Sequence, residues 1–226
     1  MKVHSLSDNT YYWLMIICCY NEINHNWSAQ ELADKLVLLP EKLKQQALHK
    51  RQLLDKQLSI TGKLLLVHLL KNMGLDKELS LENLKYNAFH RPYFDANVDF
   101  NISHSGNMVI CCGTISGKTG IDIEYIKEID LDDYTDYFTE NEWNHINQSH
   151  SRYDGFYYYW TRKEAVLKAI GTGFHTPLSS VDVSGESLIY DDITYHMQTL
   201  DIGEGYKCHI ATTVNAVNVG LLRINV

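Results

Sequence analysis

Gly120-Ile-Asp-Ile-Glu-Tyr125 reads as a strand, because its side chains alternate between apolar and acidic. Every second residue of a strand faces the same way, so Ile121, Ile123 and Tyr125 point into a core while Asp122 and Glu124 emerge together on the solvent side. Two residues along a strand span about 6.6 Å, and at an effective dielectric near 20 two such charges repel by roughly 2.5 kcal/mol. A rigid pair of that kind calls for a cation. Further along, Trp160-Thr-Arg-Lys-Glu-Ala-Val-Leu-Lys168 has helical spacing that puts Trp160, Glu164 and Lys168 on one stripe with Lys163 beside it. Glu164 then offers a third carboxylate. Three hard oxygen donors among lysines suit Mg²⁺ shared with a substrate phosphate. Taken singly, each segment has a plain meaning: a solvated strand face, or an i,i+4 ion pair worth about 0.2–0.5 kcal/mol.

The two segments together resemble the signature of the 4'-phosphopantetheinyl transferases, in particular the larger, surfactin-synthetase-activating type. Phe100-Asn-Ile-Ser-His-Ser105 resembles the family's segment beside the coenzyme A site, which implies coenzyme contacts for Ser103 and places His104 at the 3'-phosphate. His90-Arg-Pro92 is similar to the family's Gly-Lys-Pro turn against the adenine, with His for Gly and Arg91 keeping the cation. Pro40-Glu-Lys42 resembles the start of the first basic helix, so Lys42 is expected at the 3'-phosphate. The next family lysine falls near Gln45, with Lys44 adjacent. The arginine usual in the following helix is absent, since Gln57-Leu58 precede Ser59 and Gly62, and Ser59 remains as a hydroxyl donor.

The resemblance implies an α+β fold, a pseudodimer of two similar α+β halves with the active site in the cleft between them. Residues 1–116 would form the half that holds the 3'-phosphate and adenine of coenzyme A, and residues 117–226 the half with the metal and catalytic carboxylates. It further implies Mg²⁺, or Mn²⁺, held by Asp122, Glu124 and Glu164, with Glu164 as general base. Lys168 and Lys163 would face the pyrophosphate. Coenzyme A is then the co-substrate and an apo carrier protein the acceptor. A metal-dependent phosphohydrolase with the same carboxylates, or a non-catalytic coenzyme A or carrier-binding module, are the alternative readings.

Composition sets the outer limits. A chain of 226 residues, 45% hydrophobic, can bury a sizeable core, and a monomer is expected. The apolar run Trp13–Tyr20 is too short to cross a bilayer and reads as part of a buried strand over 11–20; with no signal-like leader, the cytoplasm is the expected location. A net charge of −8 without a basic run excludes nucleic acid and anionic membrane as principal partners. Five cysteines in apolar stretches, without metal-ligand spacing, read as reduced core residues.

The remaining pattern predicts a helix capped by Ser28 and Glu31, helices through Leu43–Leu53 and Ile60–Leu70 ending near Gly74, and a strand at Met108–Cys112. Helices follow near 139–148 and over Phe156–Ile170, with Tyr157, Tyr158 and Tyr159 as core packing. Segments near 180–183, 187–196, 206–213 and 217–225 read as one antiparallel sheet. His145 and His150 read as surface residues. The acidic stretch 127–154 carries Tyr134, Tyr137, Phe138 and Trp143, which suggests carrier docking through apolar contacts, although core packing suits Phe138 and Trp143 better.

Overall fold

Strict alternation along two neighbouring strands builds the centre of the molecule. The computed structural model describes residues 15–172, 176–215 and 218–226. In chain order, β1 (Met15–Glu22) leads to α1 (Ala29–Val37), α2 (Glu41–Leu48) and α3 (Leu53–Asn72), then β2 (Lys85–Tyr86), β3 (Pro92–Tyr93), β4 (Asp99–Ser105), β5 (Met108–Thr114) and β6 (Thr119–Tyr125). After these come α4 (Glu140–Gln148), α5 (Arg152–Ile170), β7 (Ser187–Tyr190), β8 (Ile193–Thr199), β9 (Tyr206–Thr212) and β10 (Asn218–Arg223). Residues 11–14 of the expected first strand lie outside the described residues, as does residue 217 of the last.

One four-stranded sheet runs β10-β1-β5-β4 and the other β6-β9-β8-β7. On β1, Ile17 and Cys19 face α3, while Ile16 and Cys18 face the opposite way. On β5, Val109 and Cys111 join the first set, and Ile110 and Cys112 the second. That second set packs against Ile121 and Ile123 of β6 and Cys208 and Ile210 of β9, so one core lies between the sheets. A third core holds α5 to the far side, with Val166 and Ala169 against Tyr195, Met197 and Ala211. The fold is therefore α+β, each sheet carrying one long helix. All five cysteines are free and buried in these cores, as their apolar setting predicts. Tyr157 and Tyr159 are buried as well, and the Ser28–Glu31 capping box is present at α1.

Two close approaches fix the relative positions of strands and helix. A Cβ on Gly120 would lie 2.2 Å from the Ala165 carbonyl oxygen and 2.4 Å from the Ala169 nitrogen, so the backbone of α5 rests directly on β6. Beside it, the free edge of β6 is met by side chains of β4 in place of a ladder. Asp99 Oδ2 accepts from Thr119 N (2.8 Å), Asn101 Oδ1 from Ile121 N (3.1 Å) and Ser105 Oγ from Tyr125 N (3.1 Å). Backbone donors at an edge are thereby satisfied without merging the sheets.

The expected C-terminal sheet is corrected in three places, the segment at 187–196 being two strands, β7 and β8, joined at Asp191-Asp192, both at positive φ. Residues 178–180 form a 3₁₀ turn and 181–183 no strand, because the carbonyls of Leu178 and Val181 are used by a buried lysine described below. The final strand, β10, leaves that sheet and pairs parallel with β1, from Met15 with Asn218 to Tyr20 with Arg223. Parallel and antiparallel partners present the same alternation, so side-chain pattern alone could not separate these outcomes.

His209 on β9 joins the second sheet to α5. The Thr161 hydroxyl donates to Tyr157 O (2.7 Å), so its oxygen accepts from Nδ1–H of His209 (2.7 Å), and Thr199 donates to Nε2 (3.0 Å). Burial, reinforced by Arg162 and Lys207, lowers the pKa of the ring from 6.5 to about 3. The folded protein therefore keeps His209 neutral while the unfolded chain protonates it, and stability falls as pH drops through 6.5 toward 3. In urea unfolding, His209→Gln is expected to shed that dependence, so that its deficit relative to wild type shrinks by roughly 3 kcal/mol between pH 8 and pH 4. A pH-independent offset would show that the imidazole takes up its proton equally in the folded and unfolded states.

Candidate active site

Alternation on β4 divides the residues of its signature between two sides. Phe100 and Ile102 pack with the α3 core, and His104 shares their side. Asn101, Ser103 and Ser105 turn toward β6. Ser103, expected beside the coenzyme, donates to Asp122 Oδ1 at 3.0 Å.

Asp122 is buried, in contrast to the expected solvent-facing pair, because α5 covers it. Lys168, one turn beyond Glu164, donates to Asp122 Oδ1 (2.5 Å) and to Ser103 Oγ (3.0 Å). Asp122 Oδ2 is buried without a hydrogen-bond partner. Burial pushes the Asp122 carboxyl above its ordinary range, against the pull of Lys168. Burial also opposes the Lys168 charge more than any other single influence, but Asp122, Glu164 and Glu124 together outweigh it and raise its pKa. Glu164 and Glu124 are raised first by burial and then by Asp122, so the three carboxylates feel one another. Among the described residues, no three His, Cys, Asp or Glu side chains converge tightly enough to hold a metal as they stand. The donor set nevertheless fits a hard cation: three carboxylates of mutually raised pKa, one with an orphaned buried oxygen, and a lysine as present counter-charge.

Next to this cluster lies a trough. Its inner section is lined by Phe89, Arg91, Glu164, Leu167, Lys168 and Gly171. Across His90, Pro92 and Asn101 it continues into a section lined by Ser59, Lys63 and His104, and then into one lined by Lys42, Gln45, His49 and Lys50. Lys42 sits 5.7 Å from the Tyr86 ring centroid at the far end. Crowding around its ring, followed by the charges of Lys168 and Lys50, lowers the pKa of His104. The outer trough is thus cationic although the protein as a whole is acidic.

Two sequence-predicted residues are placed elsewhere than expected. Lys163 is fully buried, paired with Glu142 (2.8 Å) and donating to the carbonyls of Leu178 (2.9 Å) and Val181. It lies one residue from Glu164, about 100° around the helix, and so faces the core instead of the trough. The Arg91 guanidinium lines the trough wall, yet it is engaged by Asp99 (2.8 Å), by Thr119 O (3.0 Å) and by Ala169 O (3.4 Å) near the end of α5. It braces the fold where a free cation was expected. The adjoining His90 takes φ = +60°, the left-handed conformation that glycine adopts freely and that costs other residues roughly 1–2 kcal/mol. A glycine would hold this turn without that cost.

Lys50 and Lys63 were not singled out from sequence. Lysine at α3 or in a short connection carries no signal of its own, and only the fold brings both to Ser59 and His104. Leu58, at the place of the missing arginine, is a core residue. Of the aromatics in the acidic stretch, Phe138 is buried and Tyr134 stacks edge-on against Phe156 and Trp160, leaving Tyr137 exposed. His145 and His150 are exposed, as expected.

Residues 118–211 match the model of the 4'-phosphopantetheinyl transferase superfamily. The 4'-phosphopantetheinyl transferase gsp of Aneurinibacillus migulanus is 33% identical over 156 residues, covering 64% of this chain and 65% of the relative. For 4'-phosphopantetheinyl transferase Sfp of Bacillus subtilis strain 168 the figures are 34% over 117 residues, 48% and 52%. A Haemophilus influenzae relative, provisionally named for the same activity, is 34% identical over 162 residues, covering 68% of this chain and 67% of its own length. The chain belongs to the 4'-phosphopantetheinyl transferase superfamily. The match spans less than two thirds of gsp and about half of Sfp.

The buried pair at Lys163 has a direct consequence. Lys163→Met leaves Glu142 charged and unpaired in the core, at a cost of about 3–5 kcal/mol. Urea unfolding should show that loss. Unchanged stability in Lys163→Met would show that the Lys163–Glu142 pair contributes nothing to the core.

Proposed function

We propose that this chain transfers the 4'-phosphopantetheine arm of coenzyme A to a serine of an apo carrier protein and releases 3',5'-ADP. The observation that carries the reading is the continuity of the trough, cationic at Lys42, Lys50 and Lys63 and ending at Glu164 and Lys168 beside Asp122. A ligand with a phosphate at one end and a pyrophosphate some way along suits that distribution of charge. In this reading Lys42, Ser59, Lys63 and His104 receive the 3'-phosphate, the turn at His90–Pro92 borders the adenosine, and Lys168 faces the pyrophosphate. The trough then follows the cleft of a pseudodimer with halves at 1–116 and 117–226, the second lending its last strand, β10, to the sheet of the first.

Asp122, Glu124 and Glu164 would hold Mg²⁺ or Mn²⁺, which supplies charge neutralisation at the pyrophosphate when bound. Glu164 takes the proton of the incoming serine hydroxyl, directly or through water. The serine oxygen forms a bond to the phosphorus that carries pantetheine, and the bond from that phosphorus to the bridging oxygen breaks. Lys168 offsets the charge that then gathers on the leaving phosphate. Transfer of this kind needs no covalent enzyme intermediate.

Incubation with coenzyme A, Mg²⁺ and a panel of apo carriers should give a phosphopantetheine mass addition on a carrier. Consumption of coenzyme A without any carrier would favour a phosphohydrolase instead. Asp122→Asn keeps the shape and the Ser103 bond, and is expected to lower transfer at least about 100-fold with circular dichroism unchanged, a loss of roughly 2.7 kcal/mol or more in transition-state stabilisation. Near-normal turnover by Asp122→Asn at saturating Mg²⁺ would sink the cation site.

The phosphate end is tested separately. His104→Ala is expected to raise the KM for coenzyme A about tenfold and to leave that for 3'-dephospho-coenzyme A nearly unchanged. Equal losses with both substrates would make His104 a structural residue.

A further inference from the structure

Ser105 ends β4 two residues beyond Ser103, and Glu124 lies two residues beyond Asp122 on β6. The two strands repeat one contact: Ser103 Oγ donates to Asp122 Oδ1 (3.0 Å), and Ser105 Oγ donates to Glu124 Oε2 (2.5 Å). Each hydroxyl also has an incoming donor, Lys168 Nζ for Ser103 (3.0 Å) and the Tyr125 backbone N–H for Ser105 (3.1 Å). A serine hydroxyl has one hydrogen. With an N–H already directed at its oxygen, the Ser105 hydrogen is committed to Glu124, so this bond has a single orientation.

The position of Ser105 is itself fixed. Gly106, the next residue, takes φ = +57° in the tight turn to β5, and a Cβ there would lie 2.7 Å from the Tyr206 hydroxyl. That hydroxyl donates to Asn107 Oδ1 (2.6 Å) and accepts from Asn107 N (3.3 Å), clamping the turn. Ser105 thus sits on a pinned hairpin, whereas Glu124 is a long, half-buried side chain with three rotatable bonds near the end of its strand. Left to itself such a carboxylate loses rotamer freedom when it takes up a ligand. The bond to Ser105 removes that freedom beforehand.

We propose that Ser105 is a positioning residue for the cation site, holding Glu124 by one oxygen. This rests on the reading of Asp122, Glu124 and Glu164 as that site. Outer partners of metal ligands typically contribute 10- to 100-fold in metal affinity. The hydroxyl is the operative group, so threonine should replace serine and alanine should not.

Mn²⁺ binding can be titrated by electron paramagnetic resonance on the full chain with coenzyme A present and no carrier. Ser105→Ala is expected to raise the Mn²⁺ Kd about tenfold, and Ser105→Thr to stay within about threefold of wild type. In a Glu124→Gln background, Ser105→Ala should add little further loss, because the partner through which it acts is gone. Wild-type Mn²⁺ affinity in Ser105→Ala overturns the inference alone, as does an equal loss with and without Glu124, which would mark a general effect on the hairpin. Absence of Mn²⁺ binding by the wild-type protein would overturn the cation site and the inference with it.

Discussion

The contact between Gly120 and the backbone of α5 governs everything near the carboxylates. A strand and a helix normally pack with side chains between them, at about 10 Å. Here the strand presents a hydrogen atom to the Ala165 carbonyl, so Glu164 and Lys168 are brought down onto Asp122 instead of being held a layer away. Burial of Asp122 follows, and with it the raised carboxyl pKa and the need for a counter-charge. An alanine at 120 would have to push the helix off the sheet, because the obstacle is backbone and cannot rotate aside.

A second layer of constraint comes from the polar seam between β4 and β6. Two sheets that meet edge to edge without a ladder leave donors and acceptors unsatisfied, and Asp99, Asn101, Ser103 and Ser105 answer that need along one strand. Arg91 adds a brace from the turn between β2 and β3 to Asp99, to β6 and to the end of α5. Structure and candidate chemistry share these residues, since the seam that joins the sheets also orients the carboxylates.

Much of this was legible in the sequence, where local pattern and chemistry coincide. The alternation in Gly120–Glu124 gave the strand and the common face of its two acids, though Tyr125, expected in the core, is exposed against Tyr206; the spacing in Trp160–Lys168 gave the stripe of Glu164 and Lys168. The capped start of α1 and the buried cysteines were equally local. What escaped depended on distant partners. Lys163 looks like a helix-surface lysine until Glu142 and two carbonyls are placed against it. Arg91 looks like a free cation until Asp99 appears beside it. Lys50 and Lys63 acquire a meaning only through the cavity they share with His104.

The pairing of β10 with β1 bears on how the molecule assembles. Its register joins Met15 to Asn218, and Asn21 donates to Ile224 O across 203 positions of sequence. Closing a loop of that length costs about 2 kcal/mol more entropy than closing one of 20 residues, so such a contact forms late unless other contacts have already drawn its ends together. Intervening packing of β5 against β6 does that drawing together, through the core between the sheets. During synthesis, β1 emerges first yet must wait for the whole of the second sheet before it acquires its parallel neighbour. Its apolar edge is exposed throughout that interval, and Ile16, Ile17 and the cysteines beside them are where a chaperone or a mispaired strand would compete.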